Sequence, residues 1–353
     1  MRLALVTDAW DPQTNGVVNT LKNTCWALAA QGVEVLRITP EGLGSIACPS
    51  YPEIRLALFQ QRHVDRLLTR FEADAIHIAT EGPLGVAARS WALRHRREFT
   101  TSYHTQFPEY VHARWPIPLA AGYAYMRWFH KPAAAIMVST PAMRERLSVS
   151  GFRNLRSWGR GVDTALFKPL PKSPVRDRNP IFTYLGRVSV EKNVEAFLSL
   201  HLPGSKHVIG DGPQRADLQR RYPQAHFHGT LRGDTLATQL AQSDVLVFPS
   251  RTDTFGLVLL EAMACGVPVA AYPVTGPVDV VKHGITGWLD ENLRDAAVAA
   301  LSLDPNACRS HAESLSWTAA AAEFRSNLVP TVATAAVRER FVQRLHNRLS
   351  VPT

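Results

Sequence analysis

Residues 248–271 read FPSRTDTFGLVLLEAMACGVPVAA, and this stretch decides the fold of the chain. The apolar run at 245–248 has the length of a strand, and Pro249 to Thr252 break it. Asp253 opens a turn around Gly256. A helical apolar run then carries Glu261, and Cys265-Gly266-Val267-Pro268 stops it ahead of a second strand at 267–271. Strand, loop, helix, strand is the repeating unit of a parallel α/β sheet. In such sheets ligands bind outside the carboxyl ends of the strands, where helix N-termini turn free N–H groups toward anions. Asp253 lies in that loop and Glu261 in the helix, with seven residues between them.

The rest of the chain sets the scale. Its 353 residues suit about two domains. A content of 46% hydrophobic and 20% charged residues belongs to a globular protein. Residues 1–8 are too short an apolar run for a signal peptide and read as a buried strand. No uncharged apolar run approaches the roughly 18 residues of a transmembrane helix. Cys25, Cys48, Cys265 and Cys308 show no CxxC spacing, which points away from a zinc site or a disulfide framework and toward a reducing, cytoplasmic setting. Lys and Arg number 39 against 30 Asp and Glu, a formal charge of +9. That balance calls for an anionic partner: nucleotide phosphates, an anionic membrane face or nucleic acid. No helix-turn-helix, finger or RNP pattern is present, so nucleic acid is not expected.

The amino-terminal end repeats the unit. Residues 3–6 read as a strand, 7–16 as a polar loop, 17–31 as a helix stopped by Gly32, and 33–38 as the next strand. Gly16, at the mouth of the helix, either lets backbone N–H groups approach a phosphate or is a plain loop glycine. Gly42-Leu43-Gly44-Ser45-Ile46-Ala47 matches a GxGxxA dinucleotide pattern. It follows the second strand, however, and Pro49 and Pro52 oppose the helix that should open there, so that reading is rejected. A strand at 75–79 leaves through Thr80-Glu81-Gly82-Pro83 toward a helix at 86–97. Glu81 is either a ligand contact on the carboxyl edge or a helix-start acid favoured by the dipole. A strand at 99–103 ends in His104, a site candidate by position and equally a structural histidine. Residues 114–131 interleave bases and aromatics, among them Trp115, Arg127, Trp128 and Lys131, and Arg94, Arg96 and Arg97 precede them. Exposed together, these would seat on anionic lipid headgroups. The other reading makes the aromatics core and the bases a solvated helix face.

Pro169, Pro171, Pro174 and Pro180 punctuate a charged passage that reads as a linker. Beyond it the pattern restarts, with strands at 181–185, 207–209, 225–227 and 245–248. The expected organisation is a first domain at 1–168, a linker at 169–180, a second domain at 181–329, and a C-terminal helical run at 330–353 crossing back to the first domain. The fold class is α/β: two Rossmann-like parallel-sheet domains facing across a cleft. Arg187 and Lys192 stand at the end of strand 181–185 and the start of the next helix. Two cations beside a positive helix end suit a pyrophosphate and its departure. Alone the pair is a common solvated pattern. Together with Gly16, Asp253 and Glu261, all at carboxyl ends of strands, it argues for a site.

The stretches TDAWDPQTNGVVNTL, HIATEGPLG, SYHTQFPEY, GRGVDTALFKP, YLGRVSVEKN, IGDGP, FHGTL and DTFGLVLLEAMACGVPV follow one another in this order. In that set the chain resembles the retaining glycosyltransferases of family 4, which have the GT-B fold. The resemblance implies a nucleotide-sugar donor on the second domain and an acceptor on the first. It implies that the Gly16 backbone contacts the donor phosphate or sugar and that His104 sits at the reacting sugar. Arg187 and Lys192 would hold the pyrophosphate. Asp253 would bind sugar hydroxyls beside the backbone N–H groups of Phe255, Gly256, Leu257 and Val258, and Glu261 would bind the ribose. The family usually has Glu at both ends of this spacing, so Asp253 is one methylene short and a nucleophile role for it is disfavoured. Front-face retention is implied instead, the leaving phosphate taking the acceptor proton, with no metal and no other cofactor. The TEGPLG and SYHTQFPEY versions are similar to the subgroup forming glucosyl, mannosyl and sulfoquinovosyl glycolipids. That implies a membrane lipid acceptor such as diacylglycerol, contacted through Glu81, Tyr103 and Tyr110, and a protein held peripherally on the inner face of the cytoplasmic membrane. A UDP-sugar is the expected donor and GDP-mannose the alternative.

Two other classes compete. A sugar-nucleotide epimerase shares the two-domain fold, but DTFGLVLLEAM and GRVSVEKN favour transfer. A non-catalytic nucleotide-sugar or membrane-binding protein is opposed by the intact His104, Arg187, Lys192 and Glu261.

Overall fold

The computed structural model describes residues 1–13, 15–48, 51–112, 117–171 and 179–331. Trp115, most of the proline-rich passage and the helical run expected beyond residue 331 lie outside the described residues. The chain divides into two units: Met1–Gly159 together with the described residues from Thr318 to Thr331, and Arg160–Trp317. The first unit thus takes the chain up again at Thr318. The helix Trp317–Asn327 is the reason: Ala321 and Phe324 on its inner face, with Leu328 just beyond, join the core of the first unit. Phe324 lies 4.7 Å, ring to ring, from Trp158 and 4.8 Å from His77.

In chain order the first unit contains β1 (Arg2–Val6), β2 (Glu34–Ile38), β3 (Ile46–Cys48), β4 (Tyr51–Leu56), β5 (Ala75–Ile78), β6 (Thr100–Tyr103), β7 (Ala135–Val138) and β8 (Leu155–Ser157). Six of these form a parallel sheet in the order β2-β1-β5-β6-β7-β8, while β3 and β4 make a separate antiparallel pair. No helix opens after Gly44; Ile46–Cys48 is a strand. The second unit contains β9 (Ile181–Leu185), β10 (Ser205–Ile209), β11 (His226–Gly229), β12 (Val245–Phe248), β13 (Val269–Ala271) and β14 (Gly287–Leu289), parallel in the order β11-β10-β9-β12-β13-β14. Central strands such as AIMV at β7 and VLVF at β12 are buried along their whole length, as a sheet covered on both faces requires.

β6 departs from that rule, since Thr100, Thr101 and Ser102 are polar and fully buried. They are satisfied by two buried histidines. His77 pairs Nδ1 with Thr100 Oγ1 at 2.9 Å and Nε2 with Ser102 Oγ at 3.1 Å, and His130 Nδ1 pairs with Thr101 Oγ1 at 2.9 Å. Each sheet reverses its winding once, between β1 and β5 in the first unit and between β9 and β12 in the second. Such switch points leave a crevice at the carboxyl ends of the strands.

At the first switch point the loop after β1 is fastened to the loop after β5 by Asp8. Its carboxylate accepts hydrogen bonds from Leu84 N at 2.8 Å, Gly85 N at 3.2 Å and Thr80 Oγ1 at 2.9 Å, and its own N–H donates to Thr80 Oγ1 at 2.7 Å. Leu84 and Gly85 lie in the first turn of the helix Pro83–Arg94, whose N-cap, Gly82, has no side chain to offer. Asp8 is therefore the cap, delivered from another strand. This is why the helix begins at Pro83 rather than near residue 86. The approach is close: a Cβ on Gly82 would lie 2.4 Å from Asp8 Cγ. Burial pushes the Asp8 carboxyl up to about 6 against the three hydrogen bonds that hold it down, so it is ionised at neutral pH. Asp8→Ala should lower the stability of the first unit by about 2–3 kcal/mol, because two buried N–H groups lose their acceptor. Asp8→Asn, which keeps one acceptor oxygen, should lose less. Urea unfolding of the two variants checks both.

Candidate functional site

The second switch point gathers most of the candidate residues. β9 and β12 are in register through Val245↔Phe182 and Leu246↔Thr183, and the pairing stops before the end of β9. The loops beyond are free to diverge and are then tied back by side chains. Asn193, held at φ +53, donates through Nδ2 to Pro249 O at 3.2 Å, and Thr252 Oγ1 donates to Glu191 O at 3.3 Å. Between these ties, Lys192 Nζ donates to both oxygens of Asp253, 2.7 Å to each. The pair is sheltered but reachable, with 19% and 16% of the two side chains exposed. On the other side of β9, toward β10, glycines let the loop ends pack closely. Gly186 adopts φ +148, and a Cβ on Gly210, at the end of β10, would lie 1.8 Å from Gly186 O.

Arg187 shares the loop after β9. Its guanidinium is partly buried, which lowers its proton affinity, and the charge of Glu191 opposes that shift. Tyr184 OH donates to Arg187 O at 2.6 Å and fixes the backbone there.

The loop after β12 ends at Gly256, whose φ of +85 starts the helix Leu257–Ala264 without a side-chain cap. The N–H groups of that first turn are therefore not taken by a side chain. The helix is apolar nearly all round, with Leu259, Leu260, Ala262, Met263 and Ala264 buried. Glu261 is the exception. It lies three residues after Val258 and four after Leu257, on the same face, one turn down from the open end. It is half-buried and has no side-chain hydrogen bond or ion pair with the described residues. Burial pushes its carboxyl up to about 7. Phe255 and Val258 pack against the adjoining core. Among the described residues, Arg187, Lys192, Asp253, Phe255, Gly256, Leu257, Val258 and Glu261 therefore belong to two neighbouring loops and one helix.

In the first unit, Gly16 is the first residue of the helix Gly16–Ala30 and is exposed. Asn15 caps that helix, its Oδ1 accepting from Val17 N and Val18 N at 3.0 Å each. His104 follows β6 with its ring edge-on to Trp158, 5.4 Å away. Glu81 does not cap the helix Pro83–Arg94, since Asp8 does. Its Oε1 pairs with the buried His130 Nε2 at 3.1 Å, and its carbonyl accepts from Tyr125 OH at 2.5 Å. Tyr103 lies in the core with its ring against Phe152 and His130, and burial raises its phenol well above the usual range. Tyr110 is partly buried on the helix Phe107–His112. Beside it, Glu109 accepts from Tyr123 OH at 2.7 Å and from Arg146 at 2.5 Å.

The basic-aromatic segment divides. Phe129 is core, and Tyr123 and Tyr125 are partly buried with bonded hydroxyls. Trp128 is 47% exposed, under the Arg89 guanidinium at 4.1 Å. Arg94, Arg96, Arg127 and Lys131 are exposed and Arg97 is half-exposed. Arg94 is paired with Asp65 at 2.7 Å.

Asp8, Asn15, Glu109, His130 and Arg146 were not singled out from the sequence. Asp8 and Asn15 carried a signal, an acid after a strand and an Asx residue before a helix. The other three depend on contacts between distant segments. Among the described residues no group of three His, Cys, Asp or Glu side chains is placed to hold a metal ion, and no helix is long and apolar enough to cross a membrane.

Residues 14–166 match the family described as Glycosyltransferase Family 4, and residues 179–303 match Glycosyl transferases group 1. Sulfoquinovosyl transferase SQD2 of Arabidopsis thaliana is 32% identical over 311 residues, which cover 78% of this chain and 60% of the plant protein. A GDP-mannose-dependent alpha-mannosyltransferase of Mycobacterium tuberculosis is 31% identical over 317 residues, 82% of this chain and 83% of that protein. Among solved structures, sucrose-phosphate synthase from Thermosynechococcus elongatus superposes with a TM-score of 0.75 at 22% identity, over 92% of this chain and 97% of that one, which is a likeness of fold. With two parallel-sheet units and relatives matched along most of its length, the chain belongs to glycosyltransferase family 4 and has the two-domain GT-B fold.

Proposed function

We propose that the protein transfers a hexose from a nucleotide diphosphate sugar to a membrane lipid, with retention at the anomeric carbon. One observation carries the reading. At the β9/β12 switch point two cations, Arg187 and Lys192, lie in the loop next to that of Asp253, and a half-buried Glu261 stands one turn down an uncapped helix start. A diphosphate needs positive charge and N–H donors, and a ribose diol needs a carboxylate acceptor. In this reading Arg187 and Lys192 neutralise the diphosphate as it leaves, and the N–H groups of Phe255 to Val258 meet phosphate or sugar oxygens. Glu261 accepts from the ribose, and Asp253 turns to the sugar hydroxyls. The bond from the anomeric carbon to the phosphate oxygen breaks while the bond to the acceptor oxygen forms on the same face. The acceptor proton passes to the leaving phosphate. The enzyme contributes orientation and charge stabilisation. Gly16 and His104 keep the donor-phosphate and reacting-sugar contacts implied by the resemblance. Glu81 and Tyr110 keep the acceptor role; Tyr103, expected beside them, is fully buried and props that loop from the core rather than touching an acceptor.

A UDP-sugar is the first donor reading. GDP-mannose is the second, favoured by the similarity to a relative whose name gives that donor. A lipid acceptor, and a peripheral position on the inner face of the cytoplasmic membrane, are supported by Trp128 and the exposed Arg96, Arg127 and Lys131.

Incubation with labelled UDP-glucose or GDP-mannose and extracted lipid tests the reading. The expected outcome is label in the lipid phase from one donor, joined through an α-linkage. Isomerised donor without labelled lipid would make the protein an epimerase, and unchanged donor would leave only binding. Replacing Arg94, Arg96, Arg97, Arg127 and Lys131 with Gln should weaken sedimentation with phosphatidylglycerol vesicles at least tenfold, since each base near a charged surface contributes about 1 kcal/mol. Unchanged sedimentation would remove the membrane assignment.

Glu261 also generates a pH dependence. With its carboxyl near 7, the ionised acceptor is present above that pH and lost as pH falls through it. Affinity for UDP-glucose, whose diphosphate diester does not titrate in this range, should fall about tenfold between pH 8 and pH 6. Glu261→Gln should bind more weakly at pH 8 and show no such slope, as calorimetry at the two pH values would report.

A further inference from the structure

We propose that Asp253 is the resident counter-ion of Lys192 and that a diphosphate takes its place. Donor binding is then an exchange of one anion for another at the Lys192 ammonium, and the exchange frees the Asp253 carboxylate to meet the sugar. The inference rests on the donor-site reading above and adds an order of events within it.

The geometry sets up a competition. Both Asp253 oxygens lie 2.7 Å from Lys192 Nζ, so the carboxylate engages the ammonium along the approach that a phosphate would use. An ammonium is a compact charge with three donors. Once a chelating carboxylate neutralises it, little attraction remains for a second anion, and two anions crowded onto one ammonium repel each other where water is scarce. The site is sheltered in this way, with 19% and 16% of the side chains exposed, yet both remain reachable from solvent.

The surroundings favour Asp253 as the partner that moves. It sits in a loop between β12 and Gly256, outside any helix or strand. Lys192 closes a 3-10 turn, and its neighbour Asn193 is tied to Pro249 O. Two further charges in these loops have partners of their own: Glu191 acts on Arg187, and Arg251 pairs with Glu291 at 3.3 Å. The length of Asp253 matters too. A carboxylate on this short stem, held on both oxygens by Lys192, is drawn toward the ammonium, and its release lets it turn to the sugar. An arriving diphosphate supplies that release, which couples recognition of the phosphates to the placing of the group that contacts the sugar.

A double-mutant cycle on the full chain tests the exchange, with calorimetric binding of inorganic pyrophosphate to wild type, Asp253→Asn, Lys192→Met and the double variant. Asp253→Asn should bind pyrophosphate about tenfold more tightly than wild type, the scale of removing one competing like charge. That gain should vanish in the Lys192→Met background. Transfer by Asp253→Asn should show a lowered KM together with a lowered kcat, since the donor is held but the sugar contact is lost. Unchanged or weaker pyrophosphate binding by Asp253→Asn would overturn the proposal. So would an equal gain in both backgrounds, which is repulsion without exchange. A crystal structure of the wild-type chain with UDP is the check that needs no variant: separation of Lys192 Nζ from Asp253 beyond about 4 Å supports the exchange, and an intact pair beside bound UDP refutes it. Binding of UDP and GDP to wild type reports separately on the donor-site reading, whereas the pyrophosphate cycle reports on the exchange.

Discussion

The Lys192–Asp253 ion pair spans the crevice where the second sheet reverses its winding, and the arrangement around it follows from that span. β9 and β12 part before their loops begin, so nothing in the sheet itself holds residues 186–193 against residues 249–256. The bidentate pair does so, helped by Asn193 on Pro249 O and Thr252 on Glu191 O. An ion pair in such a place is a poor source of stability, because taking both charges from water offsets most of their attraction. Its value lies in position. It keeps a cation and a carboxylate at the carboxyl edge of the sheet, where a parallel α/β fold presents its ligands.

The first unit solves the same topological problem with one acid. Asp8 leaves β1, crosses the switch point and caps a helix that follows β5. The cap costs a desolvated carboxylate and is offset by three hydrogen bonds, two of them from N–H groups that would otherwise be buried without partners. One consequence reaches further along the loop. With the helix start already occupied, Glu81 turns away from it and joins His130 and Thr101 in a chain of buried polar groups that runs back into β6. The polar residues of β6, unusual for a central strand, are there because two buried histidines use them.

Glu261 shows the opposite balance. Nothing among the described residues shares its charge, and the helix around it is apolar, so desolvation alone moves its carboxyl toward neutrality. A carboxylate kept in that state has a surplus of acceptor capacity one turn from a helix end with a surplus of donors. Lys192 and Asp253 satisfy each other, whereas Glu261 and the start of its helix have unmet hydrogen-bonding capacity. In the proposed exchange, that contrast separates the part of the site that rearranges from the part that stands ready.

Much of this was legible in the amino-acid order. Strands such as LALV, AIMV and VLVF are continuous apolar runs, and only a sheet covered on both faces needs those. The glycines and prolines between them mark loops, so the position of Arg187, Lys192, Asp253 and Glu261 at the carboxyl edge could be read from local pattern alone. What could not be read was pairing. That Lys192 faces Asp253, that Asp8 caps a helix beginning 75 residues later, and that the last described helix completes the first core are contacts between segments distant in sequence. Residue types at a strand end depend on local backbone preference and burial, which a sequence carries. Which side chain meets which depends on strand order and on the winding reversal of each sheet, and only the tertiary structure decides those.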